Sequence, residues 1–335
     1  MKANETHSMK SNKVILRTRL VIFFCCVAFA LLTFFHLQKV ADPLTRYPYG
    51  TPEQRDQLAV LLDDEDINTL INMQLLPEEV LPYASVAEFN MDNIRYYQQI
   101  MAAQAADPQF VVYFVNTYRD RMDADRMSEL LGWLSYTDLI NYFESGSTLP
   151  LYHGRPDDLT AVLNGTETIL RWEPGDLTEI APGISLRYPA AASWLQMASD
   201  AAAAGHELKA VGGYMSQADQ QQAQEHASYN QGPYGTREEQ LGLSVRLSGF
   251  DEWNDVVSKE KGEDWSKACD DLSKEQKSTL DWLSENSWKY GWVFRYPQQK
   301  EEKTGVKWQP FVLRYVGQDA ASELFEKGEV LEELK

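Results

Sequence analysis

Residues Leu20 to Leu37 read LVIFFCCVAFALLTFFHL, eighteen positions without a charge. A helix of that length just spans a hydrocarbon core of about 30 Å, so the run predicts a transmembrane anchor. The small-x-small triplet Ala28-Phe29-Ala30 sits inside the run rather than after it. That position favours an uncleaved anchor over a removed signal peptide. Asp42 to Gly50 holds Pro43, Pro48 and Gly50 and reads as a linker. Thr51-Pro52-Glu53-Gln54 has the form of a helix start, with Thr51 as N-cap, Pro52 at the first helical position and Gln54 able to close a capping box. Apolar residues at helical spacing continue to Leu62. Further starts are expected at Asp64 to Asp66, ahead of Ile67, Leu70 and Ile71, and at Ser85 to Glu88, ahead of Ile94, Tyr97 and Ile100. Phe110 to Val115 is short enough to be strand or helix, and Ser128 to Phe143 predicts one helix.

From about Leu159 the texture changes. Leu186 to Ala204 is Ala-rich and helical, Leu208 to Val211 reads as a strand, and Gln217 to Tyr229 as a polar helix. Gly242 to Leu247 alternates like a strand. Ser278 to Tyr290 predicts a helix closed by Gly291, and Trp292 to Tyr296 and Phe311 to Tyr315 predict strands. The charged stretch Lys259 to Lys277 reads as a solvated loop and helix face. Helices first and interleaved strands later make the fold class α+β. The expected order is a tail at 1–19, an anchor at 20–38, a linker at 39–50, a helical region at 51–150 and an α+β domain at 151–335.

Charge sharpens this picture. The chain of 335 residues carries a net charge of −19. The first 19 residues hold five basic side chains against Glu5, so the remainder carries −23. So acidic a surface repels phosphate backbones, and no nucleic-acid partner is expected. The basic N-terminus also orients the anchor: the positive-inside bias keeps the tail cytoplasmic and puts residues from about 40 onward outside. Of three cysteines, Cys25 and Cys26 lie in the anchor and Cys269 stands alone, so no disulfide is expected within the exported part.

Several segments now carry a resemblance. Gly213-Tyr214-Met215-Ser216 with Gln220 is similar to an SGYRS-x-x-x-Q segment, and Arg237 to Arg246 (REEQLGLSVR) lines up with SEHQTGLAVD. Trp282 to Pro297 (WLSENSWKYGWVFRYP) resembles WLAENAHKYGFILRYP, Lys300 to Gly305 resembles KEEITG, and Gln309 to Gly317 stands where EPWHFRYVG is expected. These segments belong to D-alanyl-D-alanine carboxypeptidases of the vancomycin-resistance type, in the zinc metallopeptidase superfamily that includes lysostaphin-like and hedgehog domains. The resemblance covers roughly half of the chain. It implies a small antiparallel sheet with flanking helices, a zinc ion in active relatives, and peptidoglycan peptides as substrates.

The resemblance also implies which positions should do the chemistry. Two histidines and an aspartate should bind zinc, which leaves a fourth position for an activated water. Here those positions hold Glu239, Arg246 and Val312. The glutamate base corresponds to Gln309, which cannot take a proton, and the arginine that holds the peptide's carboxylate corresponds to Met215. No cofactor and no catalytic residue is therefore expected. A salt bridge between Arg246 and Glu239, with Val312 beside it, is expected to fill the vacated position. The histidines outside the anchor, His153, His206 and His226, have no metal-ligand spacing, and Ser216 and Ser244 lack the partners of a serine nucleophile. Candidate cleft residues are Tyr214, Met215, Ser216, Gln220, Glu239, Arg246, Trp288, Tyr290 and Arg314. The expected function is that of an anchored, non-catalytic relative which binds peptidoglycan stem peptides or an envelope protein. Two alternatives stand beside it: an active D,D-carboxypeptidase with unusual ligands, and a scaffold that binds a partner through residues 51–150.

Overall fold

The computed structural model describes residues 2–41, 43–224, 233–249 and 272–334. The chain divides into two compact units, residues 1–132 and 133–335.

The first unit is helical. Helix α1 (Lys2–Ala41) contains Arg17–Leu37, a stretch long and apolar enough to cross a membrane. Helices α2 (Pro52–Leu61), α3 (Asp64–Asn72), α4 (Pro77–Ala84), α5 (Ile94–Ala103), α6 (Pro108–Tyr118) and α7 (Ala124–Leu131) follow. The capping box at Thr51 forms as the pattern predicts: the Gln54 amide N–H donates to Thr51 Oγ1, and the Thr51 N–H donates to Gln54 Oε1. One expectation fails locally. Ser85 ends α4 rather than starting a helix, because its hydroxyl turns back to donate to the Pro82 carbonyl. The chain reaches α5 through a 3-10 turn, Met91–Asn93, which Asn90 caps. The 110–115 run is helical, because Asp107 caps it and Pro108 occupies its first turn. Side chains of Leu58, Leu70, Ile94, Ile100 and Phe114 are completely buried.

The predicted helix at 128–143 is two helices. The break at 132–135 ends in Ser135, which caps α8 (Tyr136–Ser145) with Asp138. In the second unit a hairpin of β1 (Leu177–Ala181) and β2 (Ile184–Arg187) leads into α9 (Tyr188–Ala203). Leu186 therefore lies in a strand, and the helix begins only where Pro189 supplies its first turn. Then come β3 (Ala210–Gly212), α10 (Gln217–Gln224), β4 (Ser244–Leu247), α11 (Lys274–Asn286), β5 (Trp292–Tyr296), α12 (Glu301–Thr304), β6 (Gln309–Tyr315) and α13 (Gln318–Lys327). The segment 287–290, expected as helix, is a 3-10 turn closed by Gly291. The Lys259–Lys277 stretch lies mostly outside the described residues.

The sheet has strand order β3-β4-β6-β5, all pairs antiparallel. One face belongs to the core with Val245, Leu313 and Trp292, and Trp194 of α9 meets Trp292 edge to face at 5.8 Å. Alternation along the strands gives the other face a polar character. Ser244 pairs with Arg314, Arg246 with Val312 and Val293 with Arg314, so this face carries Ser244, Arg246, Val312 and Arg314. The architecture is the α+β class with a small antiparallel sheet that the sequence predicts.

Candidate functional site

The polar face of the sheet is met by a 3-10 turn, Glu238–Leu241. Its first two residues, adjacent glutamates, engage different parts of that face. Glu239 pairs with Arg246, Oε1 to Nη2 at 3.5 Å, and both side chains are about a quarter exposed. The β-register sets Arg246 directly opposite Val312 on one side and Gly212 on the other. Gly212 keeps that contact open: a Cβ at this position would lie 3.3 Å from the Arg246 Cβ, a tight approach that would press on the strand. The strand pairing thus brings together Arg246, Val312 and Glu239, and the Met215 N–H, donating to the Glu239 carbonyl at 3.2 Å, brings Met215 beside them.

The other predicted cleft residues have structural partners. Tyr214 is held by its N–H, which donates to the Ser185 carbonyl at 2.8 Å. Its phenol oxygen is buried and has no hydrogen-bond partner among the described residues. Burial, with Glu173 and Asp219 nearby, pushes the Tyr214 hydroxyl up to about 12. The Ser216 hydroxyl donates to Asp219 Oδ2 at 2.6 Å and accepts the Asp219 N–H, which makes it the cap of α10. Gln220 is fully buried and ties loops together: its Nε2 donates to the Met215 carbonyl and to Gln240 Oε1, while Oε1 accepts the Gly235 N–H. Gln309 is buried at the start of β6, across from Tyr296. Trp288 stacks on Phe325 with ring centroids 4.7 Å apart, and the Tyr290 hydroxyl donates to Asp200 Oδ2. Their partners are not members of the Glu239–Arg246 group.

Arg314 is fully buried and belongs to a network not anticipated from the sequence. Its guanidinium pairs with Glu238 and donates to the carbonyls of Leu159 and Ala161. Arg295, equally buried, reaches Glu238 Oε2 at 3.3 Å and Glu332 Oε1 at 2.7 Å. Burial alone would push the Glu238 carboxyl up, but Arg295 and Arg314 together hold it below the ordinary carboxylate range. The sequence carries a usable sign of this network. WVFRY and FVLRY each place one arginine in an apolar strand, and a buried cation needs a carboxylate.

This donor set does not fit a zinc ion. Val312 has no lone pair to offer, Arg246 brings a permanent cation, and only Glu239 has a ligating oxygen. Two like unit charges about 4 Å apart repel by roughly 4 kcal/mol at an effective dielectric near 20, and a divalent ion roughly doubles that. Gln309 cannot serve as a base at neutral pH. Among the described residues no group of three or more His, Cys, Asp or Glu side chains is placed to hold a metal. His153 pairs with Glu167, and His206 lies beside the Trp282 ring. His226 and Cys269 lie outside the described residues.

Known proteins share these segments. Residues 183–318 match the family described as VanY, D-alanyl-D-alanine carboxypeptidase. A D-alanyl-D-alanine carboxypeptidase of Enterococcus faecium is 35% identical over 96 residues, 28% of this chain and 30% of that one. The match thus spans under a third of the enterococcal protein. YodJ of Bacillus subtilis, which bears a carboxypeptidase name, is 30% identical over 203 residues, covering 53% of this chain and 67% of YodJ. Among solved structures, VanYB in complex with D-alanine-D-alanine is 24% identical, covers 52% of this chain and 95% of its own, and has a TM-score of 0.41.

Proposed function

The chain belongs to the VanY family of D-alanyl-D-alanine carboxypeptidases, and we propose that it is a non-catalytic member that binds peptidoglycan stem peptides. In this reading it is held at the membrane by Leu20–Leu37, with its N-terminus cytoplasmic and residues from about 40 onward outside. One observation supports this reading: Glu239, Arg246 and Val312, the positions where the family resemblance implies zinc ligands, lie together, Arg246 opposite Val312 in the sheet and paired with Glu239. The pair is neutral overall and ordered by strand register, so the position is filled by the chain's own groups. Without a metal-activated water and without a base at Gln309, the amide bond of a bound peptide has neither nucleophile nor proton acceptor. What the domain keeps there is a partly exposed group, with Tyr214 and Met215 beside Glu239 and Arg246, and binding needs no catalytic residue. An envelope protein presenting a similar extended peptide is the other ligand such a surface would take.

The test uses the purified full chain in detergent. Zinc content, release of D-alanine from a D-Ala-D-Ala-terminated peptide, and binding of that peptide are measured together. The expected result is no stoichiometric zinc, no release and saturable binding. The variant Glu239→His/Arg246→Asp/Val312→His, which restores the ligand types of the family, is expected to take up one zinc per chain. One tightly held zinc in the native chain, with turnover lost on chelation, would overturn the reading. Absence of both zinc and peptide binding would overturn the stem-peptide assignment alone.

A further inference from the structure

The first unit holds a groove of about 450 Å³ lined by Val86, Ala87, Glu88, Gln109, Phe110 and Tyr113, with Asp107 at the end where α6 begins. We infer that this groove docks a basic, partly apolar peptide segment of a partner protein, one lysine or arginine side chain lying along the aromatic wall. The inference is independent of the function proposed for residues 133–335.

The groove is built before anything enters it. One wall is the turn after α4, and the other is the first two turns of α6. Asn116 of α6 pins them together: its Nδ2 donates to the Glu88 carbonyl at 2.7 Å. Its Oδ1 in turn accepts from the Tyr97 hydroxyl at 2.6 Å and from Asn93 Nδ2 at 2.9 Å. Phe110 is backed by Phe114, the two rings near parallel at 6.2 Å. Walls fixed in this way lose little freedom on binding.

The chemistry of the lining selects the occupant. Tyr113 is a large ring left half exposed, and Phe110 lies one turn before it. Aromatic faces beside carboxylates suit a cation on an aliphatic stem, which packs its methylenes on the rings while its charge meets Glu88 and Asp107. The surroundings reinforce this. Residues 43–132 hold 15 acidic side chains against 6 arginines and no lysine. A basic segment is drawn to such a surface, and an acidic one is repelled.

The test uses the full chain in nanodiscs and two short labelled peptides, one alternating lysine with leucine and one alternating glutamate with leucine. The lysine peptide is expected to bind and the glutamate peptide to fail. Glu88→Lys/Asp107→Asn, in which asparagine keeps the helix cap while losing the charge, is expected to weaken the lysine peptide about tenfold, Tyr113→Ala about fivefold, and Tyr113→Phe hardly at all. The control Asp56→Lys/Asp120→Asn changes the total charge equally at exposed positions that do not line the groove, and is expected to have a much smaller effect. An equal loss in that control would assign binding to overall acidity and overturn the inference. So would unchanged binding in Tyr113→Ala, or equal binding of the glutamate peptide. Displacement by phosphocholine at peptide-competitive concentration would give the groove to a lipid headgroup, which also overturns it. Unfolding of each variant by denaturant, matched to the native chain, separates loss of binding from loss of fold.

Discussion

Glu238 and Glu239 are neighbours on one short turn, and each meets arginine, yet the two regions they serve differ in kind. Glu238 is shut in with Arg295 and Arg314, and all three side chains are nearly or fully inaccessible. Glu239 meets Arg246 at a longer distance with both groups partly in water. The first region is a clasp. It joins β5, β6, the 159–161 segment and, through Glu332, the C-terminal 3-10 turn Leu331–Glu333. The second is a partly hydrated pair which, under the proposed function, fills a position where the family resemblance implies a metal. If the proposed function holds, a catalytic set can be lost without disturbing the fold, because the structural charges at Glu238 are separate from the pair at Glu239 even though the two residues are adjacent.

The same substitution made at both positions breaks or confirms that contrast. Glu238→Gln leaves the buried Arg314 without a carboxylate and Arg295 with Glu332 alone, and is expected to cost about 3–5 kcal/mol of unfolding free energy. Glu239→Gln is expected to cost no more than about 1 kcal/mol, as partly exposed pairs do. Denaturant titration of both variants reads the difference. Equal losses would mean that Glu239 and Arg246 hold the fold too, and that their pairing is not merely a replacement for ligands.

Gly212 sharpens the second region from the other side. A valine there meets the Arg246 Cβ, so the strand or the arginine must move, at an expected cost of about 1–3 kcal/mol. Gly212→Val should also weaken any ligand held near Arg246, while leaving the Glu238 clasp intact. If the variant is as stable as the native chain, the β3–β4 register is looser than the pairing implies.

How much of this was legible beforehand follows from the range of the interactions. The Glu239–Arg246 pair is local: the two lie on one turn and the strand after it, and the family resemblance, which sets both at ligand positions, suggested the contact. The Glu238 clasp is not. Its members come from positions 238, 295, 314 and 332, and only strand register brings them together. The arginines inside WVFRY and FVLRY announced that a carboxylate was needed without saying which. Strand β4 was read from alternation and β5 and β6 as strand-like runs, but the β1–β2 hairpin was not read, because its residues are mostly half exposed and show weak patterning. In the first unit the capping residues were decisive. Thr51 was read correctly, whereas Asp107-Pro108 and Ser135 were passed over, and they settle α6 as a helix and the break before α8.

The C-terminal turn that Arg295 grips through Glu332 has a second hold, and pH tests it. Lys300 donates to Glu333 at 2.9 Å, the Val330 N–H adds another bond, and together they lower the Glu333 carboxyl from 4.5 to about 2. A carboxyl with a depressed folded value stabilises above its unfolded value and loses that contribution as pH falls through the folded one. Stability should therefore be flat down to about pH 4.5 and decline toward pH 2. Glu333→Gln should shallow that decline without abolishing it, because Glu238 is depressed in the same direction. A slope unchanged in Glu333→Gln would assign acid sensitivity to the Glu238 clasp alone.

The smallest expected effect concerns the polar group that joins neither region. The Tyr214 phenol is buried without a partner among the described residues, although it sits one residue from Met215. An unsatisfied buried hydroxyl contributes nothing that its removal would forfeit. Tyr214→Phe is therefore expected to change unfolding free energy by less than about 0.5 kcal/mol, or to raise it slightly. The native phenol, with a value near 12, should stay protonated in an absorbance titration carried to mildly alkaline pH. If the variant keeps its stability but loses affinity for a D-Ala-D-Ala-terminated peptide, the hydroxyl finds its partner in the ligand, and the surface beside Glu239 is a binding surface. If stability itself falls by more than about 1 kcal/mol, the hydroxyl is satisfied within the fold, and Tyr214 belongs with the clasp rather than with the cleft.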